Sequence, residues 1–207
     1  MKLPAFYPIV SSVAAAEAVL EAGAKILQYR NKQFFSRASF EDASRIAELC
    51  RQCGAMFVMN DRADVAALLK AALHLGQQDL APSDARRILP AGSIVGFSTH
   101  NEQQLREGDR EPVDYLAIGP IFATGSKENP DPVVGLEQLR ALRPLTRKPL
   151  VAIGGITREL APQVFAAGAD SIAVISDLVP DPRARAAEWL AISAGVRARD
   201  GGGPEAP

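Results

Sequence analysis

The stretch Ile26-Leu27-Gln28-Tyr29-Arg30-Asn31-Lys32 decides the fold. It begins apolar and breaks off into amides and charges within a few residues. The same break recurs at Asn60-Asp61-Arg62, Gly76-Gln77-Gln78-Asp79, Ser98-Thr99-His100, Gly119-Pro120, Gly154-Gly155 and Ile175-Ser176-Asp177. The first run, Phe6 to Val10, ends in a plainer Ser11-Ser12. Each run is short and rich in Val, Ile, Leu or Phe, as strands buried on both faces require. Strands that carry polar chemistry at one end only describe a barrel with one working rim. In a (β/α)8 barrel that rim is the C-terminal one.

Working outward, strands are predicted at 6–10, 25–30, 56–60, 73–77, 93–98, 115–119, 149–154 and 171–176. Helical patterns fill the intervals at 13–22, 40–51, 63–72, 83–89, 102–107, 136–142, 159–167 and 182–197. Ser39 is the expected N-cap of the second helix. Strict β/α alternation calls for a parallel sheet. A doubly wound open sheet is the alternative, but no G-x-G-x-x-G follows the first strand. The reading is a single barrel domain over 1–200 and a disordered tail at 201–207. The stretch 124–135 is the one long loop and a candidate lid.

The 207 residues suit one domain, and 47% of them are hydrophobic, enough for a sizeable core. A net charge of -1 provides no basic field for nucleic acid or anionic lipid. No apolar stretch approaches the ~20 residues of a membrane span. The N-terminus shows no signal-peptide pattern, so a cytoplasmic location is expected. Cys50 and Cys53 form a lone C-x-x-C late in a helix, where the dipole disfavours a thiolate, and read as ordinary buried or half-buried thiols. His74 reads as a structural residue inside its strand, and His100 as a capping or surface residue.

The chemistry sits at strand ends. Asp61 and Asp79 follow neighbouring strands, and two hard oxygen ligands beside room for water and phosphate suit Mg²⁺. Arg30, Lys32 and Lys127 add the cations that hold a pyrophosphate and neutralise it as it leaves. Gly154-Gly155 and Ile175-Ser176 end the last two strands, where barrels bind phosphate through backbone N–H groups. No nucleophile or general base stands out.

At this point the chain strongly resembles thiamine-phosphate synthases, from about Lys25 to Leu178. The segments that carry the resemblance are ILQYRNK, FVMNDRADVA, LHLGQQDL, VGFSTHN, YLAIGPIFATGSK, VGLEQL, VAIGGIT and AGADSIAVISDL. The resemblance implies a (β/α)8 barrel, a transferase, that joins a hydroxymethylpyrimidine diphosphate to a thiazole phosphate. Pyrophosphate departs early, and the thiazole nitrogen takes the exposed methylene. Carried over, Gln28, Arg30, Lys32, Asn60, Ser98 and Lys127 would hold the pyrimidine diphosphate, with Arg30, Lys32, Ser98 and Lys127 closest to the chemistry. Tyr29 and Asn31 would join them from the same motif. Asp61 and Asp79 would bind one Mg²⁺ per subunit. Thr124, Gly125, Ser126, Gly155, Ile175 and Ser176 would receive the thiazole phosphate.

The chain departs from the family pattern in four places. Ser126 stands for a usual threonine, Asn31 for a common acidic residue, and Ser11-Ser12 for Thr-Asp; the start is also short. The nearest rival is a thiazole tautomerase of the same barrel family, which would need no diphosphate-binding metal. A non-catalytic binder of a phosphorylated vitamin precursor is the rival from another class. Small molecules are the only partners expected, and the sequence does not set the oligomeric state.

Overall fold

In the computed structural model, eight parallel strands close into a barrel in sequence order. The structure describes residues 1–125, 131–179 and 181–200. The strands are β1 (Phe6–Val10), β2 (Ile26–Tyr29), β3 (Met56–Asn60), β4 (Ala72–Leu75), β5 (Val95–Thr99), β6 (Tyr115–Ile118), β7 (Leu150–Ile153) and β8 (Ser171–Val174). β1 pairs with both β2 and β8, which closes the sheet and rules out the open alternative. The helices are α1 (Val13–Glu21), α2 (Arg37–Gln52), α3 (Ala63–Leu69), α4 (Pro82–Ile88), α5 (Glu102–Arg110), α6 (Gly135–Leu142), α7 (Ala161–Ala166) and α8 (Pro182–Asp200). The predicted disordered tail at 201–207 lies outside the described residues.

Alternation along each strand sorts the side chains into two cores. Leu27, Tyr29, Met59, Leu73, Leu75, Leu116 and Ile172 face outward into the helix layer. Tyr7, Ile9, Ile26, Val58, Ala72, Tyr115, Ala117, Val151 and Ala173 fill the barrel. The interior is therefore a packed core, as small parallel barrels require. Its upper part is polar, because the inward positions next along the strands are Gln28, Asn60, His74 and Ser98.

Two local expectations are corrected. The second helix starts earlier than predicted: Ser36 is its N-cap, and Ser39 is the third helical residue of a capping box with it. Two serines three apart satisfy each other's orphan N–H groups, so the start moves to the first of them. Cys50 is buried as expected, but Cys53 is exposed at the C-cap. Burial, with the Cys53 thiol adding to it, pushes the Cys50 thiol up to about 12. Desolvation is the larger of these two causes.

Candidate active site

The C-terminal rim of the barrel gathers the predicted acids and cations. Asp61 directly follows β3, and its backbone N–H donates to the carbonyl of His74 on β4 at 2.9 Å. That bond accompanies a φ of 63°, a left-handed conformation uncommon for a residue with a Cβ. Strain of this kind is held at functional sites by the structure around it. The Lys32 ammonium lies 3.1 Å from Asp61 Oδ2. Asp79 turns back over the end of β4, where its Oδ2 accepts the Gly76 N–H at 2.6 Å.

The two carboxyls converge. Burial raises the Asp79 pKa above its ordinary value; Asp61 adds to the rise through a side-chain hydrogen bond and its charge, while the Gly76 N–H and Lys32 oppose it. Arg30 stands close enough to Asp61 to feel its charge, and burial lowers the guanidinium pKa. Two half-buried carboxylates pressed together beside two cations could hold a hard divalent ion that shares its shell with phosphate oxygens. Among the described residues, no group of three or more His, Cys, Asp or Glu side chains could hold a metal by itself.

Below this rim runs a buried chain of hydrogen bonds. The Gln28 amide donates to the Tyr7 hydroxyl at 2.9 Å. Tyr7 and Tyr115 share a bond of 2.9 Å. His74 Nδ1 meets Tyr115 at 3.0 Å, and its Nε2 meets Ser98 Oγ at 2.9 Å. Burial, more than any charge, pushes the His74 imidazole down to about 4, so it is neutral at physiological pH. The sequence does not single out Tyr7 and Tyr115, and it gives His74 only a structural place. The signal in the sequence was faint: a tyrosine at an inward position on each of two strands.

The opposite side of the rim is a glycine-lined cup. Gly154 and Gly155 have φ of 97° and 65°. A Cβ on Gly155 would lie 2.5 Å from the Ala123 carbonyl oxygen, so only glycine lets this turn lie against the segment that enters the 124–135 loop. Phe122 N–H donates to Gly154 O at 3.0 Å, which joins the two segments. Among the described residues, no protein acceptor takes the N–H of Gly155 or Ser176. Asp177 binds the cup together. It accepts from the Trp189 indole at 2.8 Å and lies 3.0 Å from Arg158 Nε, a charge pair without hydrogen-bond geometry.

The chain matches the family model described as thiamine monophosphate synthase over residues 7–178. The chain belongs to this family. It is 51% identical to a thiamine-phosphate synthase of Koribacter versatilis (strain Ellin345), across 93% of this chain and 97% of that one. It is 41% identical to the enzyme of that name in Laribacter hongkongensis (strain HLHK9), across 85% and 84%. Among solved structures, a thiamine phosphate pyrophosphorylase from Pyrococcus furiosus superposes with a TM-score of 0.85 at 32% identity, covering 93% of this chain and 96% of that one.

Not every residue expected from the family motifs reaches the rim. Tyr29 is buried and faces the helix layer. Asn31 donates to Ser39 Oγ at 3.2 Å and to Tyr29 at 3.4 Å, and its Oδ1 accepts from Gln33 N–H at 2.9 Å. It fastens the loop after β2 to α2. Thr124 and Gly125 directly follow Ala123, whose carbonyl lies against Gly155, whereas Ser126 and Lys127 lie outside the described residues. The ends of that loop are stapled, since Val134 and Gly135 donate to the carbonyls of Pro120 and Ile121 at 2.8 and 3.0 Å. His100 is half-buried beneath it, with Nδ1 2.6 Å from Gly119 O and 3.4 Å from Asp131 Oδ2. The helix N-cap beside it is Asn101, so His100 braces the loop instead of capping.

Proposed function

We propose that this chain is a thiamine-phosphate synthase that joins 4-amino-2-methyl-5-hydroxymethylpyrimidine diphosphate to thiazole phosphate, releasing pyrophosphate. The observation that carries the reading is the convergence of Asp61 and Asp79 beside Lys32 and Arg30, apart from a separate glycine-lined cup. Two anion-binding sites of different character suit two phosphorylated substrates. An isomerase acting on one phosphate would use the cup and give the paired acids no task. A passive binder would gain nothing from strain at Asp61.

Asp61 and Asp79 would hold one Mg²⁺ per subunit. When bound, it would supply positive charge to the leaving pyrophosphate. Arg30 and Lys32, with Lys127 from the loop, bind the diphosphate oxygens and favour charge building there. Gln28, Asn60 and Ser98 orient the pyrimidine. The C–O bond to pyrophosphate breaks, and the electron pair leaves with oxygen. The thiazole nitrogen then donates its pair to the methylene carbon. Thr124, Gly125, Ser126, Gly155, Ile175 and Ser176 anchor the thiazole by its phosphate and aim that nitrogen. Positioning and electrostatics suffice, and no protein nucleophile is required.

The same reading makes the protein a one-domain cytoplasmic enzyme over 1–200, with small molecules as its partners. Among the described residues, no helix is long and apolar enough to cross a membrane. The test is a turnover assay with both substrates and Mg²⁺. Thiamine phosphate and pyrophosphate in equal amounts, abolished by EDTA, are expected. Tautomerisation of the thiazole without coupling would replace this reading with the isomerase.

A further inference from the structure

The buried chain Gln28–Tyr7–Tyr115–His74–Ser98 has a direction. It crosses the barrel interior from β2 to β5 through β1, β6 and β4. Tyr7 and Tyr115 are 1% and 0% exposed, so their hydroxyl protons must be placed on partners inside the chain. The Gln28 amide N–H donates to Tyr7. The Tyr7 proton then has one acceptor left, the Tyr115 oxygen at 2.9 Å. The Tyr115 proton in turn goes to His74 Nδ1 at 3.0 Å. A neutral imidazole that accepts at Nδ1 carries its proton on Nε2. That proton points at Ser98 Oγ, 2.9 Å away. An amide turned the other way reverses every bond, so the His74 tautomer reports the sense of the whole chain.

Resting on the synthase reading above, we propose that Tyr7, Tyr115 and His74 are positioning residues that make Ser98 accept from the protein and offer its own proton to an acceptor atom of the bound pyrimidine diphosphate. Without the chain, the serine hydroxyl could donate to His74 as readily as to the substrate. With it, the rotor is committed before the substrate arrives, so no reorganisation is needed on binding. Gln28 serves both ends, because it contacts the pyrimidine in this reading and sets the direction at its far side.

The first measurement is ¹⁵N NMR of histidine-labelled protein. The chain has two histidines, and a His100→Gln variant assigns the His74 signals. A protonated Nε2 and a bare Nδ1 are expected. A protonated Nδ1, alone or as imidazolium, overturns the proposal. The second is a double-mutant cycle. Tyr115→Phe cuts the chain at its middle and is expected to mix the His74 tautomers and lower kcat about ten-fold, the scale of one hydrogen bond. In a Ser98→Ala background the same change is expected to cost nothing further. Equal losses in both backgrounds show that the chain does not act through Ser98. If Tyr115→Phe does not fold, the wild-type tautomer decides alone. Absence of turnover in the wild type refutes the synthase reading, while the tautomer seen by NMR still establishes or refutes the direction of the chain.

Discussion

Gly96 on β5 stands opposite Tyr115 on β6, and the phenol ring fills the space of its missing side chain. A Cβ on Gly96 would lie 2.0 Å from Tyr115 Cζ and 2.4 Å from the hydroxyl oxygen. The glycine is thus the slot that lets a large polar side chain lie across a small barrel and reach both Tyr7 and His74.

Gly96→Ala is therefore an overpacking change, expected to destabilise the protein by about 1–3 kcal/mol. Urea unfolding measures it. Tyr115→Leu in the Gly96→Ala background should recover part of the loss, because the clash is with the distal ring. Strict additivity of the two changes would refute the fit.

The barrel was legible because each strand is a short apolar run that breaks off at one end, and these breaks mark the rim, while closure of the sheet against the open alternative comes from the pairing of β1 with β8. Asp61 and Asp79 were legible because they follow neighbouring strands. The Tyr7–Tyr115–His74 chain was not. It depends on which face each strand turns inward and on Gly96 leaving room, and both are properties of the closed sheet. Tyr29 shows the converse. It sits in the motif with Gln28 and Arg30, yet period-two alternation sends it to the helix layer.

His74 sets a pH dependence of stability. Burial, with the charge on Arg30 adding to it and Asp79 opposing, lowers its pKa from 6.5 to about 4. Between those values the unfolded chain binds more protons than the folded one. Stability is thus fully present above about pH 6.5 and is lost as pH falls through about 4. The contribution is about 3 kcal/mol. Urea midpoints at pH 7.5 and 4.5 check this, and His74→Gln should flatten the difference. An unchanged acid limb in the variant would place the loss elsewhere.

Asp61→Asn and Asp79→Asn each remove half of the carboxylate pair. Turnover is expected to fall on the order of 100-fold or more in either, and excess Mg²⁺ should restore only part of it. Isothermal titration of Mg²⁺ with pyrophosphate present is the second check. Wild-type rates in both variants would remove the metal from this rim.

The thiols should differ sharply. Cys50 is buried with its pKa pushed up to about 12, whereas Cys53 is exposed. A thiol-reactive disulfide at pH 8 should label Cys53 alone in the folded protein and both residues in urea. Two fast labels in the native state would mean that α2 opens at its C-terminal end.

Asp177 links the two halves of the glycine-lined cup. It directly follows Ser176, and the Arg158 it holds lies three residues beyond Gly155. Arg158 also pairs with Glu188 on α8, and Trp189, 0% exposed, adds its indole N–H from the next residue. Charge on Asp177 therefore fixes both loops to one helix, and it keeps Arg158 occupied outside the cup. Asp177→Asn preserves shape and an acceptor for Trp189 but leaves Arg158 with Glu188 as its acidic partner, which loosens the tie between the two loops. The KM for thiazole phosphate is expected to rise about ten-fold. The KM for the pyrimidine diphosphate should stay constant, because Asp61, Asp79, Arg30 and Lys32 lie in the loops after other strands. Asp177→Ala also abandons the indole and should lower stability as well. Steady-state kinetics with each substrate varied in turn separate the effects. If both KM values rise together, the two anion sites are mechanically coupled and do not act as independent pockets.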